Sequence, residues 1–100
     1  MGSKVKIRRL IWDERNIRHI ARHNVDKEEV EDAVFFGNPL PKHGQKGKTV
    51  VLIGKTGEGR LLEVPLHNRG EGVYYPITAH DAGHEATVVY KRERGGEDEQ

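Results

Sequence analysis

Three apolar runs separated by two short glycine-containing connections constrain this fold more than any other feature. The runs cover about 49–55, 60–68 and 73–79, and the connections have the sequences TGEG and RGEG. Such connections are typical of antiparallel strands that follow one another along the chain. Because Pro65 and Pro76 have no N–H group to donate, we expect each proline to lie at a sheet edge or a bulge. The sequence therefore predicts a three-stranded antiparallel meander.

A strand and two helices are expected before the meander. The apolar run near the N-terminus predicts a first strand at an edge of the sheet. Asp13 can accept hydrogen bonds from the N–H groups of a first helical turn, which predicts a helix over about 13–23. Asp26 and Glu29 have the spacing of a capping box, so they predict a second helix that ends at Gly37. The proline- and glycine-rich residues that follow predict a loop.

A third helix is expected after the meander. Asp81 is a good N-cap residue, and the basic sequence YKRER suits a helix C-terminus. The order β-α-α-β-β-β-α predicts an α+β fold, with a four-stranded antiparallel sheet, two N-terminal helices and one C-terminal helix. We expect residues 1–94 to form a single domain and the acidic residues 95–100 to form a disordered tail.

The composition excludes several kinds of chemistry. The chain has no cysteine, which excludes disulfides, thiolate zinc sites and cysteine nucleophiles and suits a reducing cytoplasm. It also has no apolar run long enough to span a membrane. The net charge is +1, and it rises to +4 without the three acidic residues of the tail. A basic face of this kind permits contact with nucleic acid, although a solvated mixed surface is the alternative.

The segment HDAGHE raises the question of a metal site. Histidines four residues apart can share a metal on one helix face. If Asp81 caps the helix, however, His80 lies outside it and the two imidazoles do not share a face. Gly83 also weakens a rigid platform for ligands. The sequence therefore predicts neither a metal site nor a cofactor.

Several polar residues stand where strands end, and they suit metal-free cleavage of RNA. This reaction needs a base for the 2′-OH proton, an acid for the leaving oxygen and a cation for the phosphate. Arg60 and Arg69 are candidates for the phosphate cation. The candidates for proton transfer are His23, His67 and His80. The alternative is that these side chains are simply solvated.

Three segments together resemble the BrnT-type toxins, which are ribonucleases of bacterial type II toxin–antitoxin pairs with a RelE-like fold. The resemblance runs from about Leu10 to Arg92, which is most of the chain. In that family a Trp-Asp pair precedes a helix ended by Lys-His-Gly, and an acidic helix ends in Val-Phe. A Gly-Arg strand and a closing Ser-Ala-Arg segment follow. The corresponding segments here are IWDERNIRHIARHNVDKEEVEDAVF, GRLLEV and YPITAHDAGHEATVVY.

The resemblance implies roles for individual residues. His23 matches the histidine that ends the first helix, and Arg60 matches the arginine of the Gly-Arg strand. Glu85 and Tyr90 match the glutamate and the closing tyrosine of the last helix, and Arg69 is similar to a basic position after the strand. The resemblance implies that these residues contact RNA phosphate or take part in cleavage.

Two positions depart from the family pattern. Arg22 stands in place of a lysine, and it stays cationic but cannot act as an acid near neutral pH. His80 stands in place of an arginine, which exchanges a permanent cation for a titratable imidazole. His80 is therefore an acid or base candidate, or else marks a loss of phosphate stabilisation.

The function implied by the resemblance is a cytoplasmic, metal-independent endoribonuclease that acts as a toxin. The family also implies a small antitoxin that covers the basic face and carries a ribbon-helix-helix DNA-binding part, which links the toxin indirectly to operator DNA. Two alternatives stay open. One is a binding module of the same fold without catalysis, and the other is a toxin that inhibits a topoisomerase.

Overall fold

The computed structural model describes residues 6–42 and 47–95. Within these residues the chain forms three helices and a six-stranded, mostly antiparallel sheet, which confirms the α+β class. The predicted tail beyond Gly95 and the start of the predicted first strand lie outside the described residues. The helices are α1 (Glu14–Ala21), α2 (Lys27–Phe36) and α3 (His84–Arg94), and the strands are β1 (Arg9–Leu10), β2 (Leu40–Pro41), β3 (Thr49–Lys55), β4 (Leu61–Gly70), β5 (Val73–Pro76) and β6 (His80–Asp81).

The sheet has the order β1-β5-β4-β3-β2, and β6 also pairs with β4. The meander of β3, β4 and β5 is antiparallel, as its glycine connections predict. The predicted count of four antiparallel strands is wrong, because β1 runs parallel to β5 and because β2 and β6 are added. Each of these three strands has only two residues, which is too short for the alternating pattern that signals a strand.

The strand β4 tolerates a proline because its neighbour is interrupted there. Pro65 lies in the middle of β4 and is opposite Val51 of β3, so the expected edge position is wrong. On the other side, β5 ends at Pro76 and β6 begins at His80. In this gap the N–H group of Ile77 donates to the carbonyl of Pro65 at 2.9 Å. The missing N–H group of the proline therefore falls at a break in the ladder.

The two faces of the sheet are covered unequally. The larger core lies between one face and the two N-terminal helices. The opposite face carries a small cluster in which Ile53 of β3 packs against Ala86 and Tyr90 of α3. Further along this face, His67 and Tyr75 remain half-buried. The fully buried side chains of the larger core include Ile20, Val30, Leu62, Val64 and Leu66.

The caps of α1 and α2 agree with the sequence, and the cap of α3 does not. Asp13 and Asp26 each cap their helix in a complete capping box, and Gly37 is the C-cap of α2. For α3 the N-cap is Gly83, without a side-chain cap. The expected cap, Asp81, lies in β6 instead, where its carboxylate binds an arginine.

Asn16 links α1 to two backbone carbonyls, and its loss is expected to destabilise the fold. Its side chain is buried, and Nδ2 donates to the carbonyls of Ile11 at 2.9 Å and of Pro76 at 3.1 Å. Asn16→Ala removes both donors, so we expect the free energy of unfolding to fall by about 1–3 kcal/mol. Urea denaturation measures this loss. Arg18→Ala, which removes an exposed ion pair on the same helix, is the control and should change stability by less than about 0.5 kcal/mol.

Candidate active site

The guanidinium of Arg60, just before β4, connects three parts of the chain. Its Nε donates to Asp81 Oδ1 at 2.7 Å, which ties it to β6. Its Nη1 donates to the carbonyl of Asn24 at 2.9 Å and to the carboxylate of Glu29 at 3.1 Å. Its Nη2 donates to the carbonyl of His23 at 3.2 Å. Arg60 therefore joins the turn after α1 and the first turn of α2 to the last strand of the sheet.

The positive charge of Arg60 is balanced by the carboxylates of Glu29 and Asp81. The hydrogen bond from Arg60 lowers the pKa of Asp81, and the positive charges of Arg60, His80 and His23 lower it further against the opposing effect of burial. In return, the bond to Asp81 raises the pKa of Arg60. Glu29 has a second task, because Oε1 also accepts the N–H group of Asp26 in the cap of α2. The cluster is thus a fixed network of charged groups at neutral pH.

Two imidazoles from distant parts of the chain meet beside this network. The rings of His23 and His80 have centroids 5.7 Å apart and are tilted by 59°. His23 is exposed in the turn after α1, and His80 is half-buried in β6. Both rings are therefore open to a bound molecule at one edge of the sheet. A pair of titratable groups in contact is a common arrangement for acid–base catalysis.

The hydrogen bond of His80 fixes its tautomer. Nδ1 lies 3.0 Å from the carbonyl oxygen of Asp81. A carbonyl only accepts, so Nδ1 must carry the proton in this contact. In the neutral ring Nε2 then has a lone pair and can accept a proton. The backbone of β6 therefore prepares His80 to act as a base.

A buried carboxylate lies opposite His80 on β4. Glu63 pairs with His80 across the β4–β6 ladder, and the residue is only 7% exposed. Burial acts to raise the pKa of Glu63, but hydrogen bonds from Lys42 Nζ at 2.6 Å and from the N–H group of Gly83 at 3.4 Å outweigh it and lower the pKa. Glu63 is thus an anion that lies across the ladder from His80.

A second group of candidate residues lies at the other end of β4. The guanidinium carbon of Arg69 lies 4.7 Å from the ring centroid of Tyr75, which is a cation–π contact. The hydroxyl of Tyr75 donates to the carboxylate of Asp13 at 3.0 Å, and the pKa of Tyr75 is raised by burial and by Asp13. Nδ1 of His67 is buried and has no hydrogen-bond partner within the described part of the chain.

The structure does not bring the two groups into one site. Arg60 precedes the strand on which Arg69 lies, nine residues later. At a rise of about 3.3 Å per strand residue, the two positions are about 30 Å apart. They cannot hold the same phosphate. His67 lies four residues beyond Glu63, the partner of His80 on β4, so it is about 13 Å further along the strand.

The two candidates on α3 have different surroundings. Tyr90 is buried against Ile53, and its hydroxyl donates to the carbonyl of Gly37 at 2.7 Å. This is a structural contact between α3 and the end of α2. Glu85 is exposed in the first turn of α3, where a negative charge is favourable to the helix.

Three contributors to the site carried no signal of their role in the sequence. Glu29 and Asp81 had a simpler interpretation as helix caps, and Glu63 lies in an apolar strand. Their partners are 20 to 31 residues away along the chain. Local patterns do not report such distant contacts.

Comparisons of this chain with known proteins gave no match. A scan against models of protein families found none that fits this chain, and neither a curated protein nor a solved structure matched it.

Within residues 6–42 and 47–95, no group of three or more histidine, aspartate or glutamate side chains is placed to hold a metal ion. In the same residues no helix is long and apolar enough to cross a membrane.

Proposed function

We propose that this protein is a bacterial toxin of the BrnT type with a RelE-like fold, and that it cleaves RNA without a metal ion. One observation carries the proposal. His23, Arg60 and His80 come from three separate segments that resemble the family, and in the structure they converge: Arg60 binds the carbonyl of His23, and the two imidazoles are in contact.

The two imidazoles suit the two proton transfers of RNA cleavage. His80 Nε2 takes the proton of the 2′-OH, and the 2′ oxygen attacks the adjacent phosphorus. The bond from phosphorus to the 5′ oxygen breaks, and protonated His23 donates a proton to that oxygen. The products are a 2′,3′-cyclic phosphate and a 5′-hydroxyl end. Protons and electrons balance, and the two histidines exchange protonation states.

The surrounding charges support these roles. Asp81 and Glu63, whose pKa values are lowered, are anions beside His80. Arg22, which is exposed immediately before His23, is a cation without a role in the Arg60 network and is available for the phosphate. The net positive charge of the chain without its tail attracts RNA.

The proposed partners follow from the resemblance. They are an RNA substrate in the cytoplasm and a small antitoxin that covers the site. The antitoxin would carry a ribbon-helix-helix part, through which the pair would reach operator DNA. Co-expression with the product of the neighbouring reading frame is the direct way to find this partner.

Cleavage of a fluorogenic RNA oligonucleotide in EDTA tests the proposal. We expect cleavage by the wild-type protein, with a rate that passes through a maximum as the pH rises. The maximum arises because one imidazole must be protonated and the other neutral. Products with a 2′,3′-cyclic phosphate, identified by mass spectrometry, would support the mechanism. A well-folded wild-type protein that leaves RNA intact under these conditions contradicts the proposed activity.

A second candidate function is a binding module of the same fold without catalysis. It is favoured by the many contacts of Arg60, which occupy the group expected to hold the phosphate. Expression without the partner separates the two cases. Growth arrest that depends on His80 supports the nuclease, whereas harmless expression together with RNA binding supports the module.

A further inference from the structure

We infer that Arg60 is a positioning residue that sets the distance between His23 and His80 and does not bind the phosphate. This inference rests on the proposed function of the same site. It differs from the role that the family resemblance implies for the arginine. It is carried by the four contacts of the guanidinium.

The first contacts hold the turn that carries His23. This turn follows the end of α1 and includes Asn24, whose φ is 62°. The last carbonyls of a helix lack partners within the helix, and a cation near them is favourable. Arg60 donates to the carbonyls of His23 and Asn24 and so fixes the position of the turn. The backbone of His23 itself is one of its ligands.

The remaining contacts hold the strand that carries His80. Asp81 follows His80 directly, and its carboxylate binds Arg60 Nε at 2.7 Å. The carbonyl of Asp81 binds the imidazole of His80. Glu29 secures the guanidinium from the side of α2. Through these bonds a single side chain is attached to both histidine-bearing segments.

The number of donors argues against a phosphate contact. A guanidinium has five N–H groups, and the contacts to His23, Asn24, Glu29 and Asp81 use four of them. Bidentate binding of a phosphate needs two. Two carboxylates already neutralise the charge of Arg60. A phosphate would have to displace one of these partners, so the existing network favours the positioning role.

Steady-state kinetics separate the two roles. For Arg60→Lys we expect kcat to fall at least tenfold, because an ammonium cannot reach both segments, while KM for RNA stays within twofold and the salt dependence of KM is unchanged. Arg18→Lys, the same exchange at an exposed arginine of α1, is the matched control and should retain wild-type kinetics. A rise in KM with a weaker salt dependence would show that Arg60 binds phosphate and would overturn the inference.

The variant Asp81→Ala is expected to behave differently in the two roles, with a lower kcat in one and a higher affinity for RNA in the other. If Arg60 positions the histidines, removal of its partner on β6 lowers kcat by about tenfold. If Arg60 binds phosphate, removal of an anion frees the guanidinium and raises the affinity for RNA. A lower KM with an undiminished kcat for Asp81→Ala therefore also overturns the inference.

A measurement without RNA keeps the inference distinct from the proposed function. Nuclear Overhauser contacts between the imidazole protons of His23 and His80 report the spacing in the protein alone. We expect the contact in the wild type and in Arg18→Lys, and its loss in Arg60→Lys at a temperature where circular dichroism shows a folded chain. If the wild type does not cleave RNA but the contact still depends on Arg60, the activity fails and the positioning stands. A contact that persists in Arg60→Lys overturns the positioning.

Discussion

Replacing His80 with alanine is expected to slow RNA cleavage by about 100-fold or more at neutral pH. General acid–base catalysis by one side chain contributes roughly 10²–10⁴ to a rate, and His80 is the group whose Nε2 is prepared as the base. The loss should appear in kcat, while KM changes little, because the imidazole acts on the proton in the transition state. Initial rates on an RNA oligonucleotide in EDTA measure the effect.

The variant His80→Arg makes this prediction sharper. It introduces the residue that BrnT-type toxins have at this position, but a guanidinium stays protonated and cannot serve as a base. We therefore expect His80→Arg to be as inactive as His80→Ala. His84→Ala, at an exposed histidine four residues further along, is the control and should cleave at nearly the wild-type rate. Cleavage by His80→Arg at or above the wild-type rate would show that this position supplies only a cation.

Gly54→Ala is expected to destabilise the fold by about 4 kcal/mol or more, enough to unfold a domain of ordinary stability. Gly54 lies in β3 directly beneath α2, and a Cβ atom there would be 2.3 Å from the carbonyl oxygen of Ala33. The obstacle is backbone, so no side-chain rotation relieves it. The helix and the strand would have to separate, which opens the larger core.

Gly83→Ala is the matched control for this steric prediction. A Cβ at Gly83 meets no atom within 4 Å, and its φ of −74° is open to any residue. Glycine is preferred to alanine at an N-cap, so we expect a loss of about 1 kcal/mol, well below that of Gly54→Ala. Denaturant unfolding followed by circular dichroism compares the two variants. A stability of Gly54→Ala close to that of Gly83→Ala would mean that α2 and β3 move apart without cost.

The elements with strong local signals could be predicted from the sequence. Asp13 and Asp26 cap the helices they were expected to cap, because capping involves only the next three residues. The bounds of β3, Thr49–Lys55, also agree, because an apolar run between turn residues needs no distant information. These features are fixed within a few residues of chain.

The misjudged elements depend on distant partners. Asp81 has the sequence context of an N-cap, yet its carboxylate binds Arg60, 21 residues earlier. A charged partner competes successfully with a backbone N–H group, and no local pattern reports its presence. Pro65 was expected at an edge for a similar reason, since the interruption of the neighbouring strand was not visible. Tertiary contacts decide both cases.

The candidate site was predictable in its members but not in its grouping. His23, Arg60 and His80 are each marked by a segment that resembles the family, and they meet. Arg69 carries a similar mark but lies far along the same strand. The sequence places polar residues at the ends of strands, but it does not show which of these strand ends lie next to one another in the sheet. That choice depends on the pairing of β4 with β6 at one end and with β5 at the other.

The break opposite Pro65 separates the two strands that pair with β4 on this side, β5 and β6. β6 is held to β4 by only two residue pairs, and β5 is held by a separate set. Local unfolding of β6 can therefore occur without fraying β5. Since β6 carries His80, the missing N–H group of Pro65 leaves the pairing of this histidine-bearing strand separate from the pairing of β5.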